Sequence, residues 1–180
     1  MSFRCMFVIL CAFAVSGCAT KGKNIRGVEN FAIVQVGVLL RGAQPTAEGI
    51  KELSHRGVKT VINLRADAKP WEKEKVNQAG MDYVFIPTVA ERNDPQAIAK
   101  FLDAVRTKEK PAFVHCRVGR DRTGLEVAVW RITDCGWTKD DAIKELHEHG
   151  YQWAWFPNIE RYLRTFDPKS FTPTVTASEP

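Results

Sequence analysis

Apolar residues in this chain fall into two kinds of run. Short β-branched stretches such as Val58–Leu64, VKTVINL, read as buried strands. Longer stretches repeat apolar residues every three or four positions. Ile98, Phe101, Leu102 and Val105 lie on one face of a helix that Asp94-Pro95 opens and that runs to about Thr107. The same criteria predict strands at Phe31–Gln35 and Val38–Arg41 around a turn containing Gly37, then at Asp82–Pro87 and Pro111–His115. Further helices are expected from Pro45-Thr46 to Gly57, from Pro70 to Ala79, from Thr123 to about Cys135, from the capping sequence Thr138–Asp141 through His147, and from Pro157 to Phe166. Strands alternating with helices imply a single α/β domain with a mostly parallel central sheet flanked by helices.

The ends read differently. Arg4 followed by ten apolar residues, Met6 to Val15, has the form of an export signal and is too short to cross a bilayer. Val15-Ser16-Gly17-Cys18 resembles a bacterial lipobox, with Val15 in place of the usual leucine. That resemblance implies a signal peptide over residues 1–17, lipidation of Cys18, and a membrane lipoprotein facing the periplasm. Ala19, where an aspartate would retain the protein, implies the outer membrane. The alternative is an ordinary secretory signal cleaved near Gly17. Residues 18–30 are then a polar tether, 31–166 the domain, and 167–180 a flexible tail rich in Pro, Ser and Thr.

A formal charge of +5 permits an acidic partner, but no basic run or aromatic–basic stripe points to nucleic acid. Cys5 and Cys11 leave with the signal and Cys18 carries lipid, so Cys116 and Cys135 remain. A disulfide between them would block the more interesting one. Cys135 reads as a small buried residue near a helix end.

The decisive segment is His115–Gly124, HCRVGRDRTG. A predicted strand turns sharply there into a predicted helix, so several N–H groups point at one spot and the helix dipole adds positive potential. That cradle suits a phosphate dianion. The amides of Arg117, Val118, Gly119, Arg120, Asp121 and Arg122 are its donors, Gly119 allows the tight turn, and the Arg122 guanidinium adds a bidentate clamp. Cys116 at the floor ionises readily and is the nucleophile. Thr123 offers its hydroxyl to the sulfur, and His115 fixes the loop backbone.

These residues match the His-Cys-x(5)-Arg-Thr-Gly signature at each fixed position, and the chain resembles the protein tyrosine phosphatase superfamily in its small bacterial dual-specificity-like branch. Leu40–Pro45 (LRGAQP), Val61–Arg65 (VINLR) and Trp130–Ile132 before Gly136-Trp137 are similar to members of that branch, so the resemblance runs from Phe31 to Phe166. It implies a phosphomonoester hydrolase with a cysteinyl-phosphate intermediate and no metal or cofactor. A phosphorylated protein is the first substrate class and a phosphoinositide or inositol polyphosphate the second. A catalytically inactive phosphate-binding sensor or adaptor is the alternative of another kind.

The resemblance also implies a general acid on a loop upstream of the cysteine. Both Glu91 and Asp94 fit, although Asp94 is also placed to cap the helix at Pro95. Arg117 and Arg120 either recognise extra phosphates or are solvated, and Asp121 either serves recognition or braces the loop. Arg41 and Arg65 either line the mouth or sit in surface or ion-pair roles. Trp137, Trp153, Trp155 and Phe156 are read as core and C-terminal packing, with one wall of the mouth as the alternative. His147 and His149, two apart, do not share a helix face and give no metal-ligand spacing.

Overall fold

The structure, a computed structural model, describes residues 24–171. The signal peptide, Cys18, the start of the tether and residues 172–180 of the tail lie outside the described residues. Five strands form the sheet: β1 (Ala32–Gln35), β2 (Leu39–Gly42), β3 (Thr60–Arg65), β4 (Asp82–Thr88) and β5 (Ala112–His115). Six helices accompany them: α1 (Ala47–His55), α2 (Pro70–Gln78), α3 (Pro95–Thr107), α4 (Asp121–Asp134), α5 (Lys139–Glu148) and α6 (Pro157–Thr165).

The strand order is β1-β2-β5-β3-β4. Only the β1–β2 edge pair is antiparallel; β5 lies between β2 and β3 and is parallel to both. The alternation of side chains along these strands sorts the core into two layers. Phe113 and Val61 face Ile50, Leu53 and Val76 of α1 and α2. Val114 and Ile62 face the other way, against α3 to α6. Helix α4 is buried around nearly its whole circumference, from Thr123 to Ile132, so it shows no amphipathic stripe. A central strand and a central helix thus meet at residues 116–120, in the middle of the sheet's C-terminal edge.

Local chemistry sets the element ends. Thr46 and Thr138 accept hydrogen bonds from the amides of Gly49 and Asp141, each at 3.1 Å, and cap α1 and α5. Asp94 Oδ1 accepts from Gln96 N at 2.9 Å and caps α3, with Pro95 at its first position.

Two boundaries differ from the sequence expectation. Residues 25–30 are part of the domain rather than tether: Ile25 and Val28 form an antiparallel bridge, and Val28 is buried against α1 and Phe113. Their polar composition hides two apolar residues that are enough to dock the turn. At the other end, the short 3-10 turn Pro168–Phe171 follows α6, and the Phe171 ring stacks on Phe166 at 5.3 Å, so the packed chain continues past residue 166.

Candidate active site

Cys116 is 3% exposed, directly beyond β5. Its Sγ accepts the Gly119 amide hydrogen at 3.2 Å, so the loop curls back over the sulfur. Burial pushes the thiol upward, yet the Thr123 hydroxyl and amide, the Arg122 charge and the Gly119 amide outweigh it and leave the thiol below its ordinary range. The Thr123 hydroxyl is buried without a partner of regular geometry, so its proton is available to the sulfur beside it.

The loop is held from outside. Gly119 has φ +75°, and a side chain there would put its Cβ 2.4 Å from the Gly42 carbonyl carbon and oxygen. The Gly119 carbonyl accepts from Arg41 Nη2 at 3.1 Å and from Asn30 Nδ2 at 3.2 Å, and Asn30 also reaches the Val118 carbonyl at 3.3 Å. Gln44 N donates to the Arg117 carbonyl at 3.3 Å. With these carbonyls turned outward, the amides are free to face the sulfur. Arg41 is therefore neither at the mouth nor on the surface: it is 1% exposed beneath the loop, and burial lowers its pKa to about 10. Its buried stem was invisible in a sequence where arginine usually marks solvent.

His115 is fully buried, with Nδ1 3.1 Å from the Cys116 carbonyl and Nε2 2.8 Å from Glu72 Oε1. The latter contact is off the line of a regular hydrogen bond, because both atoms lack one. Asn63 Nδ2 donates to Glu72 Oε2 at 2.7 Å and completes a buried polar chain from β3 to the loop. His115 thus faces the scaffold. Asp121, 9% exposed, accepts the Gln152 amide at 2.8 Å and ties the loop to the segment after α5.

Helix α4 begins at Asp121, two residues earlier than expected, so Arg122 sits in its first turn. Arg122 Nη1 donates to the Thr88 carbonyl at 3.2 Å, at the end of β4 where the acid loop starts. A cavity of about 10 Å³ beneath that loop is lined by Arg122, Asp94, Arg92 and Glu126, among others. Glu91 does not line it and is exposed on the turn at residues 90–91. Of the two candidate acids, Asp94 lines this cavity with the arginine and Glu91 does not.

Arg117 and Arg120 are exposed and form no ion pair among the described residues. Arg65 is paired with Asp67 and reaches Gln44. Trp153 and Trp155 are 63% and 78% exposed rather than packed, whereas the Arg131 guanidinium lies 4.1 Å from the Trp137 ring centroid. Cys116 and Cys135 are both free thiols. Sequence reasoning missed Asn30, Glu72 and Glu126, since a lone polar residue carries no motif.

A nucleophile loop between the central parallel strand and the central helix, closed by an arginine, defines the small dual-specificity class of cysteine phosphatase fold. The model of the family described as DSP-PTPase phosphatase fused to NAD+ kinase (PTP-NADK) matches residues 27–154, and the chain belongs to that family. The dual specificity protein phosphatase TpbA of Pseudomonas aeruginosa strain UCBPP-PA14 is 34% identical over 116 residues, 63% of this chain and 51% of the relative. A beta-lactamase hydrolase-like protein of Xylella fastidiosa strain Temecula1 is 29% identical over 116 residues, 60% of this chain and 26% of its own. The chain thus spans about half the length, or less, of these curated relatives. Among solved structures, P. aeruginosa TpbA superposes with a TM-score of 0.69 at 28% identity, covering 79% of this chain and 88% of that one. A cysteine-to-serine variant of TpbA in complex with pTyr gives 0.70 at 26% identity, over 83% and 91%. The catalytic core of the PP-IP phosphatase Siw14 from S. cerevisiae shares the fold, with a TM-score of 0.72 at 20% identity over 82% and 91%.

Proposed function

We propose that this protein is a phosphomonoester hydrolase that works through a cysteinyl-phosphate, acting on phosphotyrosine in proteins. One observation carries the proposal: Cys116 lies buried at the floor of the loop with its Sγ accepting the Gly119 amide at 3.2 Å, and Thr123 and Arg122 favour its ionised form. The substrate's non-bridging oxygens take the loop amides and the Arg122 guanidinium. The thiolate attacks phosphorus and the P–O bond to the leaving group breaks, while Asp94 protonates the departing oxygen. Water then displaces the thiolate, with the Asp94 carboxylate taking its proton and the Thr123 hydroxyl supporting the leaving sulfur.

The test is purified residues 19–180 with an aryl phosphate and a phosphotyrosyl peptide, without added metal. Release of phosphate by the wild type and none by Cys116→Ser is the expected result. Binding of phosphopeptide without turnover by the wild type would make the protein a sensor or adaptor instead.

A second substrate class, phosphoinositides or inositol polyphosphates, draws on the unpaired, exposed Arg117 and Arg120 flanking the loop. A wild-type preference for such a substrate that Arg117→Ala with Arg120→Ala removes would establish it. We further propose export and lipid anchoring through Cys18, facing the periplasm. Labelling with a palmitate analogue that Cys18→Ala abolishes is the expected outcome.

A further inference from the structure

Glu126 is one turn beyond Arg122 on α4, hence on the same helix face. It is 2% exposed, and its Oε2 is buried with no hydrogen-bond partner. A carboxyl placed this way is costly unless it serves something. Its side chain lines the cavity beneath the acid loop together with Asp94, and the volume of about 10 Å³ admits a single water. The charged and titratable groups facing it are Asp94 at the start of α3, Arg92 on the acid loop, Arg122 on α4 and Tyr162 on α6.

We propose that Glu126 is a positioning residue for the general acid: the two carboxyl groups share one proton across this cavity, and Glu126 stores it for Asp94. The proposal rests on Asp94 as the acid. Burial, with the Asp94 charge second, holds Glu126 up at about 8, so in the resting enzyme near neutrality the proton sits on the deeper carboxyl. To protonate the leaving oxygen, Asp94 draws this one proton through the water from Glu126 and passes it on, so both groups are carboxylates once phosphate is on Cys116. In the second half-reaction the attacking water's proton returns by Asp94 to Glu126. The pair thus carries one proton out and back per turnover, and nothing is oxidised or reduced.

The experiment compares pH–rate profiles for phenyl phosphate, whose leaving group needs a proton, and 4-nitrophenyl phosphate, whose leaving group does not. In Glu126→Gln the alkaline limb for phenyl phosphate moves down by about one pH unit or more, roughly a tenfold loss at pH 7.5, and the 4-nitrophenyl limb keeps its place. A phenyl phosphate limb unmoved in Glu126→Gln but lost in Asp94→Asn overturns the proton store and leaves Asp94 as the acid. A limb intact in Asp94→Asn overturns the acid, and the store with it. Infrared spectroscopy of the wild-type protein needs no variant to fold: a protonated-carboxyl band persists at pH 7, and its absence overturns the proposal.

Discussion

Asn93 and Asn158 clasp each other across 65 residues of chain. Asn158 Nδ2 donates to Asn93 Oδ1 at 3.1 Å, and Asn93 Nδ2 donates to the Asn158 carbonyl at 3.0 Å. Asn158 Nδ2 also donates to the Ala90 carbonyl at 2.9 Å. The start of α6 is thus bolted to the loop that carries Asp94, and Arg122 holds the same loop at Thr88.

Asn158→Ala frees the acid loop without touching the cradle. The kcat for a poor leaving group falls about tenfold or more with little change in phosphate affinity, since proper placement of an acid contributes on the order of 10²-fold or more. The stability loss is about 1–3 kcal/mol from the orphaned Asn93 and Ala90 groups. Steady-state kinetics and thermal melts check both.

Gly119→Ala places a methyl against Gly42 backbone in a left-handed conformation. Neither side of that clash is a flexible side chain. The strain is about 1–3 kcal/mol, and the loop relieves it by opening, so vanadate inhibition weakens sharply while the fold persists by circular dichroism.

Thr123→Val keeps the volume but removes the hydroxyl that heads the influences stabilising the thiolate. Alkylation of Cys116 by iodoacetamide, followed against pH, shows its midpoint shifted upward by about one unit. An unshifted midpoint assigns the stabilisation to the amides and Arg122 alone.

Stability also depends on pH through Glu126. Its carboxyl sits at about 8 when folded against 4.5 as an ordinary side chain, so the folded state holds the proton more tightly. The stability is fully present below 4.5 and drains away as pH rises to about 8. Glu126→Gln lacks this slope, and urea melts show the variant more stable than wild type at pH 8 by roughly a few kcal/mol, with the gap closing toward pH 5.

Much of the architecture was legible because each local signal agreed with the others. VKTVINL lies on β3, Asp94-Pro95 opens α3, and Thr138 caps α5. The cradle was legible because its chemistry is packed into ten consecutive residues. The parts that escaped are those assembled from distant single residues. Asn30, 89 positions from the Gly119 carbonyl it holds, looks like any polar residue beside a glycine-rich stretch. Glu126 breaks no pattern until α4 proves to be buried all round, and Arg41 reads as surface until its strand proves to run under the loop. That Asp94 rather than Glu91 lines the cavity of Arg122 is a matter of loop shape, which spacing alone leaves open.

The grip of Asn30 on Val118 and Gly119 has a practical side. Composition would place the first cut for a recombinant fragment at Phe31, and such a fragment would be trimmed of a clamp on its own reaction centre. A crystallisation or screening fragment that starts there would report a slackened loop, and a fragment keeping the bridged turn from Ile25 onward would keep it clamped.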